Sequence, residues 1–319
     1  MKKIVVFISC FPFLFFSCFE QPEYPEDKSS VSALVYGDNK FIAGFGWAKM
    51  SISDNGRDWT PINNPFKTYT TDALAYGSGV FVAGSVSGAM AYSNDGENWN
   101  LIDNSPFGTN DVINTICYGE DKFIAGSGYI DPRDDSNYVR MAYSIDGIHW
   151  TAISNIPFGK LDSVFDIVYG DGKFIAGGSS GKMASSTNGI TWQQINIAGG
   201  SIFSLAYGND MFICGNVNGE TFFSSDGLNW IKSNHSCFNV NESIRSIAYG
   251  NGVFLAVGGG GSIAYSNNGI EWHKKNHNIG THGFLHTIYA NGIFLVGDWN
   301  GKITVFNVSD VSFVSLVPP

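Results

Sequence analysis

From residue 30 onward the chain repeats one phrase seven times, and this repetition constrains its fold more than any other feature. Each copy has a Tyr anchor, a short polar pair and a Phe-aliphatic stretch ending near a Gly, and the first six close with Ser-x-Asp/Asn-Gly-x-x-Trp. The anchors are Tyr36, Tyr76, Tyr118, Tyr169, Tyr207, Tyr249 and Tyr289, spaced 38 to 51 residues apart. Six copies end in a tryptophan: Trp59, Trp99, Trp150, Trp192, Trp230 and Trp272. Self-similarity at this period makes each copy one supersecondary unit that buries its apolar faces against its neighbours.

Within a copy the pattern is that of strands. In the second, Asp72–Tyr76, Val80–Ala83 and Ala89–Ser93 are apolar runs, and Trp99–Ile102 follows the last turn. Gly, Ser, Asn and Asp separate them, residues that accept tight-turn dihedrals. No 3.6-residue apolar stripe exists outside the first 18 residues. Four strands in roughly 40 residues is the blade of a β-propeller. The expectation is an all-β chain, a seven-bladed β-propeller of four-stranded antiparallel blades over residues 32–319. A two-residue type I′ turn at Asp95-Gly96 would set Tyr92 opposite Trp99. By the same count Tyr143 faces Trp150, Phe223 faces Trp230 and Tyr265 faces Trp272, aromatic pairs that would pin the outer hairpins. The first and fourth copies carry Ile52 and Ser185 there instead.

These turns carry a family resemblance. Ser93-Asn94-Asp95-Gly96-Glu97-Asn98-Trp99, Ser144-Ile145-Asp146-Gly147-Ile148-His149-Trp150 and Ser224-Ser225-Asp226-Gly227-Leu228-Asn229-Trp230 resemble the Asp-box of sialidase-like propellers, shortened by one residue. Ser53–Trp59, Ser186–Trp192 and Ser266–Trp272 have Asn in place of the acid. The resemblance covers residues 32 to 306 and implies a propeller. It implies no activity, because the box is a structural turn and function resides in a site.

The first residues carry a different message. Lys2 and Lys3 precede an apolar run, Ile4–Phe16, and then Ser17-Cys18. That is the layout of a signal peptide, residues 1–17, too short to span a bilayer, which takes roughly 20 apolar residues. Leu14-Phe15-Phe16-Ser17-Cys18 resembles a relaxed lipobox, which makes Cys18 the residue expected to be lipidated and residues 18–31 its tether. The localisation this implies is the cell envelope, lipid-anchored, with the outer membrane favoured. Which side of that membrane is left open. Phe19 follows the cysteine, so the Asp-type inner-membrane retention signal is absent.

Composition fits such a setting. The formal charge is −10, with 18 basic residues that form no cluster, a poor match to nucleic acid or anionic lipid. Membrane contact is therefore expected through the acyl anchor only. Cys117 and Cys214 stand where sibling copies have Ala and read as small packing residues, and Cys237 lies in an Asn/Ser-rich connection. No disulfide framework is expected.

Loop phase selects a binding face. The links between first and second strands are short and polar, and those between third and fourth are the Asp-Gly turns. In an up-and-down blade both kinds emerge on one face. The other face carries the variable links, and binding residues concentrate on variable loops held by a rigid scaffold. Three features are expected there. The insertion from Tyr129 to Tyr138 carries Arg133 and three Asp, and is a candidate recognition loop without the ligand spacing of a calcium site. His273, His277, His282 and His286 lie close in sequence but read better as loop histidines than as a zinc site. Trp47 and Trp299, in the first and seventh copies, would be neighbours in a closed ring, with Lys49, Asp298, Asn300 and Lys302 beside them. Their candidate roles are a stacking platform for a sugar or peptide, or interblade packing. Pro65-Phe66, Pro106-Phe107 and Pro157-Phe158 recur at one place in the connections and read as clips between blades.

An enzymatic reading fares less well. Sialidases use three arginines from separate blades and an Arg-Ile-Pro element, neither of which is here. Glycoside hydrolysis needs two facing acids, and only Asp166 falls near the channel. Gly258–Gly261 lacks the lysine of a phosphate loop. The sequence designates no catalytic residue, metal or cofactor. The expectation is a lipid-anchored binding or scaffolding module for a protein or glycan partner; the alternatives are a glycan-active enzyme or an envelope-complex assembly factor.

Overall fold

The computed structural model describes residues 29–129, 140–197, 199–234, 237–239, 242–277 and 282–307. Its secondary structure is strand throughout, apart from single 3-10 turns at Ser179–Gly181 and Gly259–Gly261. The strands form seven antiparallel sheets in simple sequence order: the seven-bladed β-propeller expected. Six blades have four strands. In the seventh, the described residues supply Phe284–Ala290, Ile293–Asp298 and Ile303–Asn307, and residues 308–319 lie outside them.

The first strands of the blades are Val31–Gly37, Thr71–Gly77, Asp111–Gly119, Val164–Gly170, Ile202–Gly208, Ile244–Gly250 and Phe284–Ala290. Each lies beside the first strands of the two adjacent blades, and Phe284–Ala290 returns to Val31–Gly37. They therefore ring the central axis, and the circle closes by packing. Val31, Leu34 and Phe41 of blade 1 share one buried cluster with Leu295 and Val305 of blade 7. Ser30 accepts the Gly46 N–H at 2.8 Å, so the segment expected to be tether meets the domain by that point.

The repeated residues have repeated jobs. The phenylalanines of the second strands, among them Phe41, Phe81, Phe123, Phe174, Phe212 and Phe254, are fully buried. Removing one such ring costs on the order of 3–5 kcal/mol. The glycine after each Tyr anchor is required by close approach. A Cβ on Gly37, Gly77, Gly119, Gly170, Gly208 or Gly250 would fall inside the tyrosine ring of the following blade. Clips between blades are present too: Phe107 packs with Val82 of blade 2 and Ile113 of blade 3. Phe238 fills the matching place between blades 5 and 6.

The turn geometry corrects one expectation. Type I′ dihedrals, with two successive positive φ values, occur in the links between first and second strands, as at Asp38-Asn39 (φ 45 and 59) and Asn209-Asp210 (φ 48 and 57). The Asp-Gly turns are longer. In blade 2 the Ser93 hydroxyl accepts the Gly96 N–H at 2.9 Å, and Asp95 Oδ1 accepts the N–H groups of Glu97 (2.9 Å) and Asn98 (2.7 Å). Trp99 closes the loop, its indole N–H donating to the Gly96 carbonyl at 3.0 Å. The tryptophan thus belongs to the turn, and the pairing slips by one residue. Tyr92 faces Asn100, Tyr143 faces Thr151, Phe223 faces Ile231 and Tyr265 faces His273, not the tryptophans expected.

Candidate binding face

The innermost strand of a blade has no backbone partner on its axial edge, so the molecule must satisfy or present those groups there. Side chains of the preceding blade do part of this. Asp166 Oδ2 accepts the Leu205 N–H at 2.7 Å, Ser204 Oγ accepts Ile247 N–H at 2.8 Å, and Ser246 Oγ accepts Thr287 N–H at 3.0 Å. Asp166 also accepts the Ile167 N–H and the Thr115 hydroxyl. Burial outweighs these bonds and raises its pKa to about 7. The acid singled out in sequence as the one near the channel is therefore committed to holding blades together.

Every inner strand also carries a β-bulge, and always at the same place. The register skips one residue between Val31 and Ala33, Thr71 and Ala73, Val164 and Asp166, Ile202 and Ser204, Ile244 and Ser246, and Phe284 and His286. In blade 3 the skip falls between Ile113 and Thr115. The skipped residues are Ser32, Asp72, Asn114, Phe165, Phe203, Arg245 and Leu285. A bulge leaves one residue out of the ladder and re-aims its side chain. All seven bulges lie near the strand ends where the blade connections enter, opposite the I′ turns. They form one ring at the mouth of the channel, on the face of the variable links.

Two of the seven are used structurally: Ser32 donates to the Thr71 carbonyl at 2.6 Å and Asn114 to the Val164 carbonyl at 2.9 Å. The other five are half-buried. Phe165 meets Phe203 edge to face at 5.0 Å, and the Arg245 guanidinium lies 4.6 Å from the Phe203 ring centre. Asp72 sits in blade 2, a second acid at the channel that the sequence reading missed. Desolvation raises its pKa from 3.8 to about 7. His286, beside Arg245, is lowered to about 4 by burial and by the arginine's charge. It is neutral at physiological pH.

The residues designated in sequence fall less neatly together. Lys49 and Asn300 line a cavity of about 490 Å³ at the junction of blades 1 and 7, with Ser29, Phe45, Ile62 and Asn64. Trp47 is 75% exposed beside it, in the left-handed region at φ 57. Trp299 instead lies over Gly283, in the connection from blade 6. Asp298 is turned inward, its carboxylate accepting the backbone N–H groups of Asn300 and Lys302 at 2.9 and 2.8 Å. Lys302 is half-buried. Tyr129 packs against Arg140, which ion-pairs with Asp111 at 2.8 Å in the interior. Arg133, Tyr138 and Cys18 lie outside the described residues.

The remaining chemistry is dispersed. His277 is bonded to the Gly261 carbonyl, His273 and His282 are exposed, and His286 is half-buried near Arg245. Among the described residues no three His, Cys, Asp or Glu side chains gather where they could hold a metal ion. Cys117 has its thiol pushed up to about 12, by burial first and the Asp166 charge second, and Cys214 is buried. Neither is a reactive thiolate.

The architecture and its asymmetric mouth define the molecule as a seven-bladed propeller with one uniform and one variegated face. Solved structures bear out the fold. The chain is similar to YCF48 from Cyanidioschyzon merolae, with 14% identity, a TM-score of 0.65, and 90% of this chain and 98% of that one covered. It is similar to YCF48 bound to D1 peptide, at 13% identity and a TM-score of 0.68 over 89% and 95% of the two chains. Virginiamycin B lyase from Staphylococcus aureus matches at 12% identity and a TM-score of 0.71, over 87% and 94%. At such identities the likeness is one of fold. No family profile and no curated sequence matches the chain.

Proposed function

We propose that this protein is a non-catalytic binding module that recruits a protein partner at the channel mouth and the surrounding variable links. The observation that carries this reading is the ring of bulges: seven positions equivalent in backbone carry six different residue types, from Asp72 and Arg245 to Phe165 and Leu285. A scaffold under packing constraint alone has no use for such variety, whereas a binding site built on a rigid frame does. The YCF48 structure with a bound peptide supports a protein partner by analogy of fold alone. The commitment of Asp166 to three donors supports binding over glycoside hydrolysis. Anchorage in the cell envelope through an acylated Cys18 rests on the Lys2-Lys3 leader and its lipobox-like end.

The test is capture from envelope extracts, comparing the wild-type chain with a Phe165→Ser, Phe203→Ser double variant and with Leu228→Ser on the opposite face. A defined partner retained by the wild type and by Leu228→Ser, and lost in the double variant, is the expected result. Retention by all three places the binding site elsewhere. Hydrolysis of any chromogenic glycoside by the wild type would overturn the non-catalytic part. Incorporation of labelled palmitate, abolished by Cys18→Ala, is the expected result for the anchor; no incorporation removes it.

A further inference from the structure

Four consecutive blades contribute Phe165, Phe203, Arg245 and Leu285 to the channel mouth, an apolar arc interrupted by one cation. The guanidinium carbon of Arg245 sits 4.6 Å from the Phe203 ring centre, a cation–π contact that positions the group at the mouth. The Phe165–Phe203 edge contact fixes the ring in turn. Arg245 makes no hydrogen bond and no ion pair with any described residue, although five N–H donors converge there. The other basic group nearby, His286, carries no charge at neutral pH and does not compete for an anion. A guanidinium withdrawn from bulk water without a counter-charge is held at a cost in stability. The group that best relieves it is a carboxylate, which accepts two parallel N–H bonds from the planar guanidinium.

Charge narrows the class of ligand. A chain of net charge −10 repels extended polyanions and tolerates a single negative group where a cation awaits it. Phe203 and Phe165 extend from the arginine as an apolar shelf, so the body attached to the carboxylate is apolar or aromatic. Across the ring in blade 2, Asp72 offers an acceptor, or when protonated a donor, to a polar group at the ligand's far end. We propose that the channel mouth binds a carboxylate borne on an apolar or aromatic body, with the carboxylate on Arg245 and the body along Phe203 and Phe165. This deepens the reading of this face as the binding face and rests on it.

The shared chemistry has two sources, a free aromatic acid or the terminus of a polypeptide, and calorimetry on the purified full-length chain separates them. The probes are hippurate, a short peptide ending in Phe with a free carboxylate, and the same peptide amidated. Binding of hippurate assigns the site to small acids, and binding of the free peptide alone assigns it to chain termini; either supports the proposal. Amidation and Arg245→Gln are each expected to weaken binding at least about tenfold, roughly 1.4 kcal/mol. Arg245→Lys, which keeps the charge and loses the planar fork, should recover only part of it. Melting temperatures equal to or above that of the wild type would show that the variants fold, Arg245→Gln being relieved of its unpaired charge. Equal affinity for the amidated peptide, equal affinity of Arg245→Gln, or no binding of either acid overturns the assignment. Envelope-partner capture that survives Arg245→Gln but not the phenylalanine double variant leaves the binding face standing while the carboxylate site falls.

Discussion

Asp72 shows how much one bulged residue can shift the behaviour of a repeat protein. Its carboxyl is desolvated with no hydrogen-bond donor among the described residues to hold its charge, and its pKa rises from 3.8 to about 7. The folded state therefore keeps a proton that the unfolded chain releases, and stability falls as pH climbs from about 4 to about 7. Above that range the full penalty persists. Asp72→Asn, nearly isosteric and never charged, should match the wild type near pH 4. At pH 8 it should be more stable by on the order of 1–3 kcal/mol. Urea unfolding at the two pH values measures the difference, and an Asn variant no more stable at pH 8 would show that the carboxyl is solvated after all. The position was open to detection in sequence. It stands four residues before each Tyr anchor, a fixed offset at which the copies carry Ser32, Asp72, Asn114, Phe165, Phe203, Arg245 and Leu285.

At the scale of the element, the two kinds of tight link use different chemistry. The I′ links rely on residues that accept positive φ, such as Asn209-Asp210. The Asp-Gly turns rely on a side-chain network built from Ser, Asp or Asn, Gly and Trp. Asp226 accepts the N–H groups of Asn229 and Leu228 and is held well below the usual carboxylate range by them. That part of the stability is present above the unfolded carboxylate pKa and is lost as pH falls through the folded one. Ser224 is buried, accepts Gly227 N–H at 2.9 Å and donates to Asp226. Ser224→Ala should lower stability by about 1–2 kcal/mol, read by thermal unfolding, because a buried amide is left unbonded. No loss would mean that the carboxylate suffices for the turn. Strand order and blade count were legible because apolar runs and turn residues alternate without ambiguity. The outer register was not, since an Asp-Gly pair between two runs suggests a two-residue loop. Only the three-dimensional network reveals that Trp99 turns back to its own Gly96.

For the molecule as a whole, closure and recognition follow from one asymmetry. Identical tight turns make one face monotonous, while the connections and bulges make the other variable. The sequence disclosed which face varies, because loop length and phase are linear properties. It carried the residues of the channel mouth at a fixed offset from the Tyr anchors but did not show that they are bulged into one ring, because a bulge is a relation between paired strands. Trp47 and Trp299, neighbours by blade count, differ in setting: Trp47 is exposed to solvent and Trp299 lies against Gly283. Closure needed no clasp among the described strands. The buried cluster of Val31, Phe41 and Leu295 joins the first and last blades as the other clusters join their neighbours. Site-specific photo-cross-linking in intact cells tests the central claim most directly, with the photoreactive residue at Leu285 or Phe165 on the channel mouth and at Leu228 or Ile190 on the turn face. Adducts of one defined protein from the first pair, and none from the second, are the predicted result. Adducts from Leu228 or Ile190, or from neither pair, would contradict it.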